Sequence, residues 1–393
     1  MIAKSYSSDA LIVGAGITGV ASALALAEKG VTVTVIERYR PAAMASGWTL
    51  AGVRQSGRDP AELALAKQAV SIWHTLDERL DSPTGYRQTG NLRLARNTAE
   101  ARIIRQLVND QRETGLDIEL LEAAELQSQF PVLSDTLSCA AYCRTDGQAD
   151  PLATSAAYRL AAERSGVRFL TGTAAHQVNI RAGRFHSLNT SAGILHAGLC
   201  ILATGVQTND LLEPLALPLP IKKALVTVLQ SEPTSMLLGP VLGVANADLA
   251  FRQQADGCLR MTSGAEITDH EPEEVDGLPR ISTTTETIKT TQSKISRVLP
   301  AAVEVPIARV WGGLLDMTPD NLPVIDNLPG IDGIIVAAGF SGHGFGIGPA
   351  VGETIAELAL QKTTRLPISD FAYDRFIGNV QGNKQQTNPA LHG

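Results

Sequence analysis

The chain has 393 residues, 44% of them hydrophobic and 19% charged, with a formal net charge of −7. That length exceeds one simple core and predicts two interleaved domains, while the hydrophobic content and a mean hydropathy near zero exclude a disordered or membrane-embedded chain. An acidic balance with no basic cluster gives no footprint for nucleic acid, so that class is excluded as well.

Residues 10–38 read ALIVGAGITGVASALALAEKGVTVTVIER. Ala10 to Val13 suits a buried parallel strand, Gly14, Gly16 and Gly19 supply G-x-G-x-x-G at its end, and Val20 to Lys29 reads as a helix closed by Gly30. Val31 to Ile36 is a second β-branched strand ending in Glu37, which completes a βαβ unit. Gly14 allows the tight turn, Gly16 a close approach of pyrophosphate, and Gly19 close packing of helix on strand. The helix N-terminus then presents unpaired N–H groups and a positive dipole end to the phosphates. Glu37, eighteen positions past Gly19, has the acceptors for both hydroxyls of an adenosine ribose and disfavours a 2′-phosphate. A signal peptide or anchor competes for residues 10–27, which carry no charge, but three glycines and an immediate second strand are poor anchor material. No other segment is long and apolar enough to span a membrane. Without a signal peptide the default compartment is the cytoplasm.

The loop from Ala42 to Pro60, AAMASGWTLAGVRQSGRDP, falls beside the nucleotide. Ala61 to Leu80 is an amphipathic helix, Thr89 to Ala95 a strand, Ala99 to Thr114 a charged helix and Ala123 to Phe130 a short one. Cys139, Cys143, Cys200 and Cys258 are scattered and read as reduced thiols, with no metal site among them. Pro151 to Gly166 is a helix, followed by strands at Val167 to Leu170 and Ala175 to Ile180. Leu199 to Thr204 is a buried strand that returns the chain to the nucleotide domain. Ile221 to Gln230 and Ala250 to Met261 belong to a separate sheet, the latter with a hairpin at Asp256-Gly257. Thr283 to Val298 is helix-like, Ile334 to Ala338 is an apolar strand, and a helix from about Pro349 follows the glycine-rich turn after it. Residues 378–393 read as a mobile tail.

Four separated segments match one pattern: Leu11 to Arg38, the loop Ala45 to Arg58, ILATG at Ile201 to Gly205, and Trp311 to Gly352. On them the chain resembles the D-amino-acid-oxidase-like family of FAD-dependent amine oxidoreductases, which includes sarcosine oxidase and glycine oxidase. Trp311, Gly313 and Pro319-Asp320, followed by G-x-x-G-H-G-F at Gly339 to Phe345, are the most diagnostic part. GVRQSGRDP and TGNLRLAR are similar to the β-type subunits of opine (octopine or nopaline) oxidase, D-hydroxyproline dehydrogenase and hydrogen cyanide synthase.

The resemblance implies a mixed α/β and α+β fold. A Rossmann-like FAD-binding domain (1–85, 150–215 and 325–375) is interleaved with a substrate domain (86–149 and 216–324) on a mixed or antiparallel β-sheet. It implies FAD, held noncovalently because Gly313, Leu314 and Leu315 occupy the stretch where some relatives carry a linking cysteine. GQADPL at Gly147 to Leu152 lacks the histidine that carries covalent FMN in heterotetrameric sarcosine oxidase, which leaves room only for noncovalent FMN at a subunit interface. Such β-type subunits form hetero-oligomers with an α-type subunit. An iron–sulfur cluster is expected only in that partner, since four dispersed cysteines cannot hold one.

By the same resemblance Gly14, Gly16, Ile17, Thr18 and Gly19 carry the pyrophosphate and Glu37 the ribose, with Arg38 either over the adenine or solvated. Ser46, Gly47, Thr49 and Gly52 border the flavin, Val178 pairs its backbone with adenine, and Thr204 and Gly205 pass the pyrophosphate. Gly312 and the turn Gly339, Gly342, His343, Gly344, Phe345 and Gly346 face the isoalloxazine, with His343 either orienting the flavin or touching substrate. The implied reaction oxidises a C–N bond: hydride passes from the substrate Cα to flavin N5, and the resulting imine hydrolyses. An amino-acid carboxylate needs a guanidinium, for which Arg54 is the first candidate and Arg252 the second. A lysine follows the G-H-G-F turn in sarcosine-oxidase-like relatives; Gly346 stands there, leaving space for a bulkier substrate such as an opine or a secondary or cyclic amino acid. A stand-alone oxygen-using oxidase and a non-catalytic flavin-binding scaffold are the alternatives.

Overall fold

The computed structural model describes residues 8–361 and 363–376; the tail expected at 378–393 lies outside the described residues. The first βαβ unit forms as its pattern predicts, with strands Ala10–Val13 and Val33–Glu37 around the helix Ile17–Ala27. Both strands are almost wholly buried, as expected of apolar runs in a parallel sheet covered on two faces. Their six-stranded sheet runs Val324–Asn327, Ile334–Ala338, Leu199–Leu202, Ala10–Val13, Val33–Glu37, Arg168–Thr171. All neighbours are parallel except the first pair.

A nine-stranded mixed sheet forms the second layer. Most of its pairs are antiparallel, while Val241–Val244 runs parallel to Asn91–Ala95. Its long strands Lys222–Pro233 and Ile307–Met317 pair in register from Lys222 with Met317 to Gln230 with Arg309. A meander of Ala175–Arg181, Arg184–Thr190 and Gly193–His196 stands apart. Its last two strands were not anticipated: in Arg184–Thr190 the buried positions include the polar Ser187 and Thr190 beside Phe185 and Leu188, and Gly193–His196 buries Leu195 among exposed residues.

Two helices differ from expectation. The predicted helix Ala61 to Leu80 breaks into Pro60–Trp73 and Leu76–Leu80 at Thr75, which leaves helical geometry. Trp73 is buried there and its indole N–H donates to the Gly346 carbonyl at 2.7 Å. The last long helix begins at Gly344 rather than near Pro349, and Pro349 lies inside it. It packs on the Ile17–Ala27 helix through small residues: a Cβ at Gly348 would lie 2.6 Å from Ile17, and one at Gly352 2.6 Å from Ala21. The N-termini of these two helices are thereby brought to the same cavity. Among the described residues no helix is long and apolar enough to cross a membrane.

Candidate active site

Two cavities, of about 1230 and 910 Å3, share a wall formed by Gly16, Ser46, Ala203, Gly205, Leu314 and Asp316 among others. Together they make one elongated space, the shape that an extended dinucleotide with a substrate beyond it requires.

The smaller cavity is built by the βαβ turn. Gly14 sits at φ +102°, and a Cβ there would lie 2.3 Å from the Ala203 carbonyl oxygen, so only glycine fits. A Cβ at Gly19 would meet the Gly14 carbonyl oxygen at 2.0 Å, so this residue serves helix-on-strand packing and lines neither cavity. Glu37 accepts the Ala15 N–H at 2.7 Å and the Tyr39 N–H at 2.8 Å, which fixes its carboxylate at the cavity edge beside Arg38. Burial raises its pKa, against those two hydrogen bonds. Thr204 and Gly205 close the opposite side. One donor expected to be unpaired is not: the Ile17 N–H is taken by Ser46 Oγ at 2.9 Å.

The larger cavity is lined by Ile17, Thr18, Thr49 and Gly52, by Gly342, Gly344, Phe345 and Gly346, and by the sheet residues Val226, Val228 and Thr262. The helix start at Gly344 points the backbone donors of its first turn at this space. A Cβ at Gly346 would lie 2.9 Å from the Gly52 carbonyl oxygen, so the turn and the Gly52 to Arg54 segment are in backbone contact. These features fit an extended flavin dinucleotide: an acidic anchor at one end, glycine-lined backbone along it, and a helix N-terminus at the other. Glu37, Gly14, Gly16 and Gly205 would hold its adenosine and pyrophosphate end, and Thr49, Gly52 and the Gly342 to Gly346 turn its ring.

Arg54 lines this cavity, and so does Arg58. Both are buried, in a cluster with Arg93, Glu62, Asp146 and His343. Arg54 Nη1 donates to the Ser56 carbonyl at 2.9 Å; burial, and next the nearby Arg58 and Arg93 charges, lower its pKa well below the usual arginine value. Asp146 accepts the Gln55 N–H at 2.8 Å and both the N–H and the hydroxyl of Ser56, which holds the loop carrying Arg54. Glu62, on the Pro60–Trp73 helix, lies 3.6 Å from Arg58 Nη1 and 3.0 Å from His343 Nδ1. Burial pushes the Glu62 carboxyl up, but His343 and Arg58 outweigh it and the net shift is downward. Burial, and then Arg58, lower the His343 pKa, so its imidazole is neutral near pH 7.

Several predicted residues sit elsewhere. His343 turns toward Glu62 and lines neither cavity. Arg252 is buried on the strand Leu249–Gln253, donates from Nη1 to Gln148 Oε1 at 2.8 Å, and also lines neither; burial, then Arg260, lower its pKa to about 9. Gly312 packs on the other face of its strand, where a Cβ would lie 2.1 Å from Ile281. Strand alternation gives the cavity to Gly313 instead. Gly339 donates to Asp316 Oδ2 at 2.7 Å behind the cavity wall, and Gly47 abuts the Ala42 carbonyl oxygen. Val178 buries its side chain and pairs with Leu188, while Thr173 and Ala175 take the cavity position near Glu37. The sequence reading missed Arg58, Glu62 and Asp316. Arg58 stands in the same quoted loop, four residues before Glu62, and that i,i+4 charge pair was the available signal.

The model of a family described as FAD dependent oxidoreductase (DAO) matches residues 9–358. The chain therefore belongs to that family and is a FAD-dependent oxidoreductase. It is 27% identical over 384 residues to an uncharacterized oxidoreductase, YurR, of Bacillus subtilis, covering 94% of this chain and 98% of that one. It is 25% identical over 393 residues to the sarcosine oxidase β subunit of Rhizobium meliloti, covering 98% and 92%. Among solved structures, the L-proline dehydrogenase of P. horikoshii superposes with a TM-score of 0.86 at 26% identity, over 95% of this chain and 98% of that one.

Proposed function

We propose that this chain is the catalytic β-type subunit of a multi-subunit dehydrogenase or oxidase that oxidises a C–N bond of an opine or a secondary or cyclic amino acid. The observation that carries the reading is one elongated cavity with the Glu37 carboxylate at one end and the buried guanidiniums of Arg54 and Arg58 at the other. An amino acid whose carboxylate meets those guanidiniums has its Cα–N bond directed back toward the ring end. FAD, when bound, supplies the hydride acceptor. The chain's residues orient the carboxylate, exclude water with Val226, Val228 and Phe345, and aim helix donors at the ring. No acid–base side chain is required if the amine binds deprotonated, and the positive cluster favours that form. His343 and Gly339 act on the cofactor from behind the wall.

A division at 1–85, 150–215 and 325–375 against 86–149 and 216–324 suits the two sheets, with the cavity between them. Resemblance to sarcosine oxidase β subunits supports an α-type partner, which would hold any iron–sulfur cluster. Noncovalent FMN at a shared interface stays part of this reading through the similarity to sarcosine oxidase β subunits. The four free, buried cysteines support a cytoplasmic setting.

Visible absorbance of the purified chain tests FAD, and anaerobic bleaching by a panel of opines, proline derivatives and N-methyl amino acids tests the substrate. Bleaching by one of these with little hydrogen peroxide formed in air is the expected result. Robust oxygen-dependent turnover by the chain alone would replace the complex with a stand-alone oxidase. No bleaching by any amine, with FAD bound, would favour a scaffold.

A further inference from the structure

We propose that the arm the substrate carries beyond its amino-acid head is an uncharged hydrocarbon, received by Trp48, Val226 and Val228, so that the substrate is a cyclic or N-alkyl amino acid and not an opine. The proposal rests on the C–N oxidation reading given above and narrows its substrate. Among the described residues, charge on the lining of the larger cavity is confined to Arg54, Arg58 and Asp316. The two arginines stand together on one loop, where they serve the head. Asp316 stands in the wall shared with the smaller cavity, and its Oδ2 already accepts the Gly339 N–H at 2.7 Å.

The nine-stranded sheet closes the cavity with a different surface. Val226 and Val228 line it from one strand, and the register sets Val226 opposite Gly313 and Val228 opposite Thr262 on the two neighbouring strands. Gly313 presents no side chain, and Trp48 packs over it: a Cβ at Gly313 would lie 3.6 Å from Trp48 Cε3. The hydroxyls of this wall are engaged by the backbone. Thr262 donates to the Ala250 carbonyl at 3.2 Å, and Ser263 donates to the Gly264 carbonyl at 2.7 Å while accepting the Thr227 N–H at 2.9 Å. The second charged group of an opine would lose its water against this wall and find neither a counter-charge nor an uncommitted hydroxyl, which is strongly unfavourable. A hydrocarbon arm is favoured by the same burial.

The test compares N-propylglycine with N-carboxyethylglycine, which match in length and differ in the end group. Each is titrated anaerobically into the FAD-loaded chain and followed through perturbation or bleaching of the flavin spectrum. From N-methylglycine through N-ethylglycine to N-propylglycine the half-saturating concentration should fall about fourfold per methylene. N-carboxyethylglycine should need about a hundredfold more than N-propylglycine. Val226→Lys, at a half-buried position, adds the missing cation and should narrow or invert that preference. Val228→Thr keeps the volume, guards against loss of folding, and should flatten the gain per methylene. An unchanged preference in both variants overturns the assignment to this wall. Saturation by N-carboxyethylglycine at or below the N-propylglycine concentration overturns the substrate class, as does no response to N-propylglycine where another amine bleaches the flavin; both leave C–N oxidation standing. No bleaching by any amine, with FAD bound, overturns that reading and the substrate class with it.

Discussion

Glu62 Oε2 lies 3.0 Å from His343 Nδ1, with the carboxylate fully buried on one helix and the imidazole at the start of another. The contact joins the Pro60–Trp73 helix to the turn that opens the Gly344 helix. Arg58, on the loop before Glu62, meets the same carboxylate. Three segments that shape the ring end of the cavity thus converge on one buried charge. Glu62→Ala removes the buried carboxylate that Arg58 and His343 both face, and should cost about 3–5 kcal/mol, the range for breaking a buried pair. Urea denaturation of the FAD-free protein measures it. Glu62→Gln, which keeps the shape, should cost less.

Both partners make the fold sensitive to acid in the same direction. The His343 pKa is depressed below its ordinary 6.5, so the neutral ring contributes stability above that value, and this is lost as pH falls below it. The Glu62 pKa is depressed below 4.5, so its contribution is lost at still lower pH. Thermal unfolding scanned from pH 8 to pH 4 should carry a decline from this pair that begins near 6.5, opposed by the gain that Asp316 brings as pH falls through about 6. In His343→Asn the early part of that decline should disappear, and a parallel decline in both proteins would refute the assignment.

The βαβ unit was legible because each requirement has its own residue: glycine where φ is +102° and a carbonyl crowds Cβ, and a carboxylate at the edge of the second strand. The charge cluster was only half legible. Arg54 stood out by its loop, but Glu62 has the polar character of a solvated helix position, and its burial depends on a turn 281 residues away in the chain. Asp316 was hidden inside WGGLLDM, a stretch read only as a motif. Gly312 and Gly313 could not be ranked without knowing which face of the strand meets the cavity. His343 was placed correctly on the glycine-rich turn, but a ring that turns away from the cavity leaves no mark in sequence.

Glu37 offers a direct check on the nucleotide end. Its two oxygens already accept the Ala15 and Tyr39 N–H groups, and further lone pairs remain for a ribose. Glu37→Gln presents one acceptor oxygen and one amide that cannot accept, so one of those backbone donors loses its partner. FAD affinity, followed through the fluorescence of released cofactor, should fall about tenfold or more, in line with a charge-assisted hydrogen bond. Unchanged affinity would remove Glu37 from the ribose.

Gly348 tests whether the approach of two helices matters to the site. A Cβ there would sit 2.6 Å from Ile17 Cγ1 and 3.2 Å from its Cγ2, at the point where both helix N-termini reach the cavity. Ile17 is buried and has little freedom to yield. Gly348→Ala should destabilise by about 1–3 kcal/mol as an overpacked core position and lower the FAD content of the purified protein. Gly348→Ala combined with Ile17→Ala, which removes both crowding carbons, should cost less than the sum of the two single changes, which a defect unrelated to this contact would not.

Asp316 stands in the wall common to both cavities and accepts the Gly339 N–H at 2.7 Å. Burial pushes its carboxyl up to about 6, against the backbone hydrogen bonds it receives. Because the folded value lies above the ordinary 3.8, the stabilised form is the protonated one, and the fold loses stability as pH rises through about 6. A shift of that size corresponds to about 3 kcal/mol between the two limits. Asp316→Asn keeps an oxygen for the Gly339 N–H and cannot ionise, so at pH 8 it should be at least as stable as the wild type, with a flatter profile between pH 5 and pH 8. Asp316→Ala orphans that buried N–H and should lose about 1–3 kcal/mol at every pH. Calorimetry of the three FAD-free proteins at pH 5 and pH 8 separates the charge from the hydrogen bond. If Asn is as damaging as Ala at pH 8, the carboxylate is needed ionised in the fold, and burial is not what governs its titration.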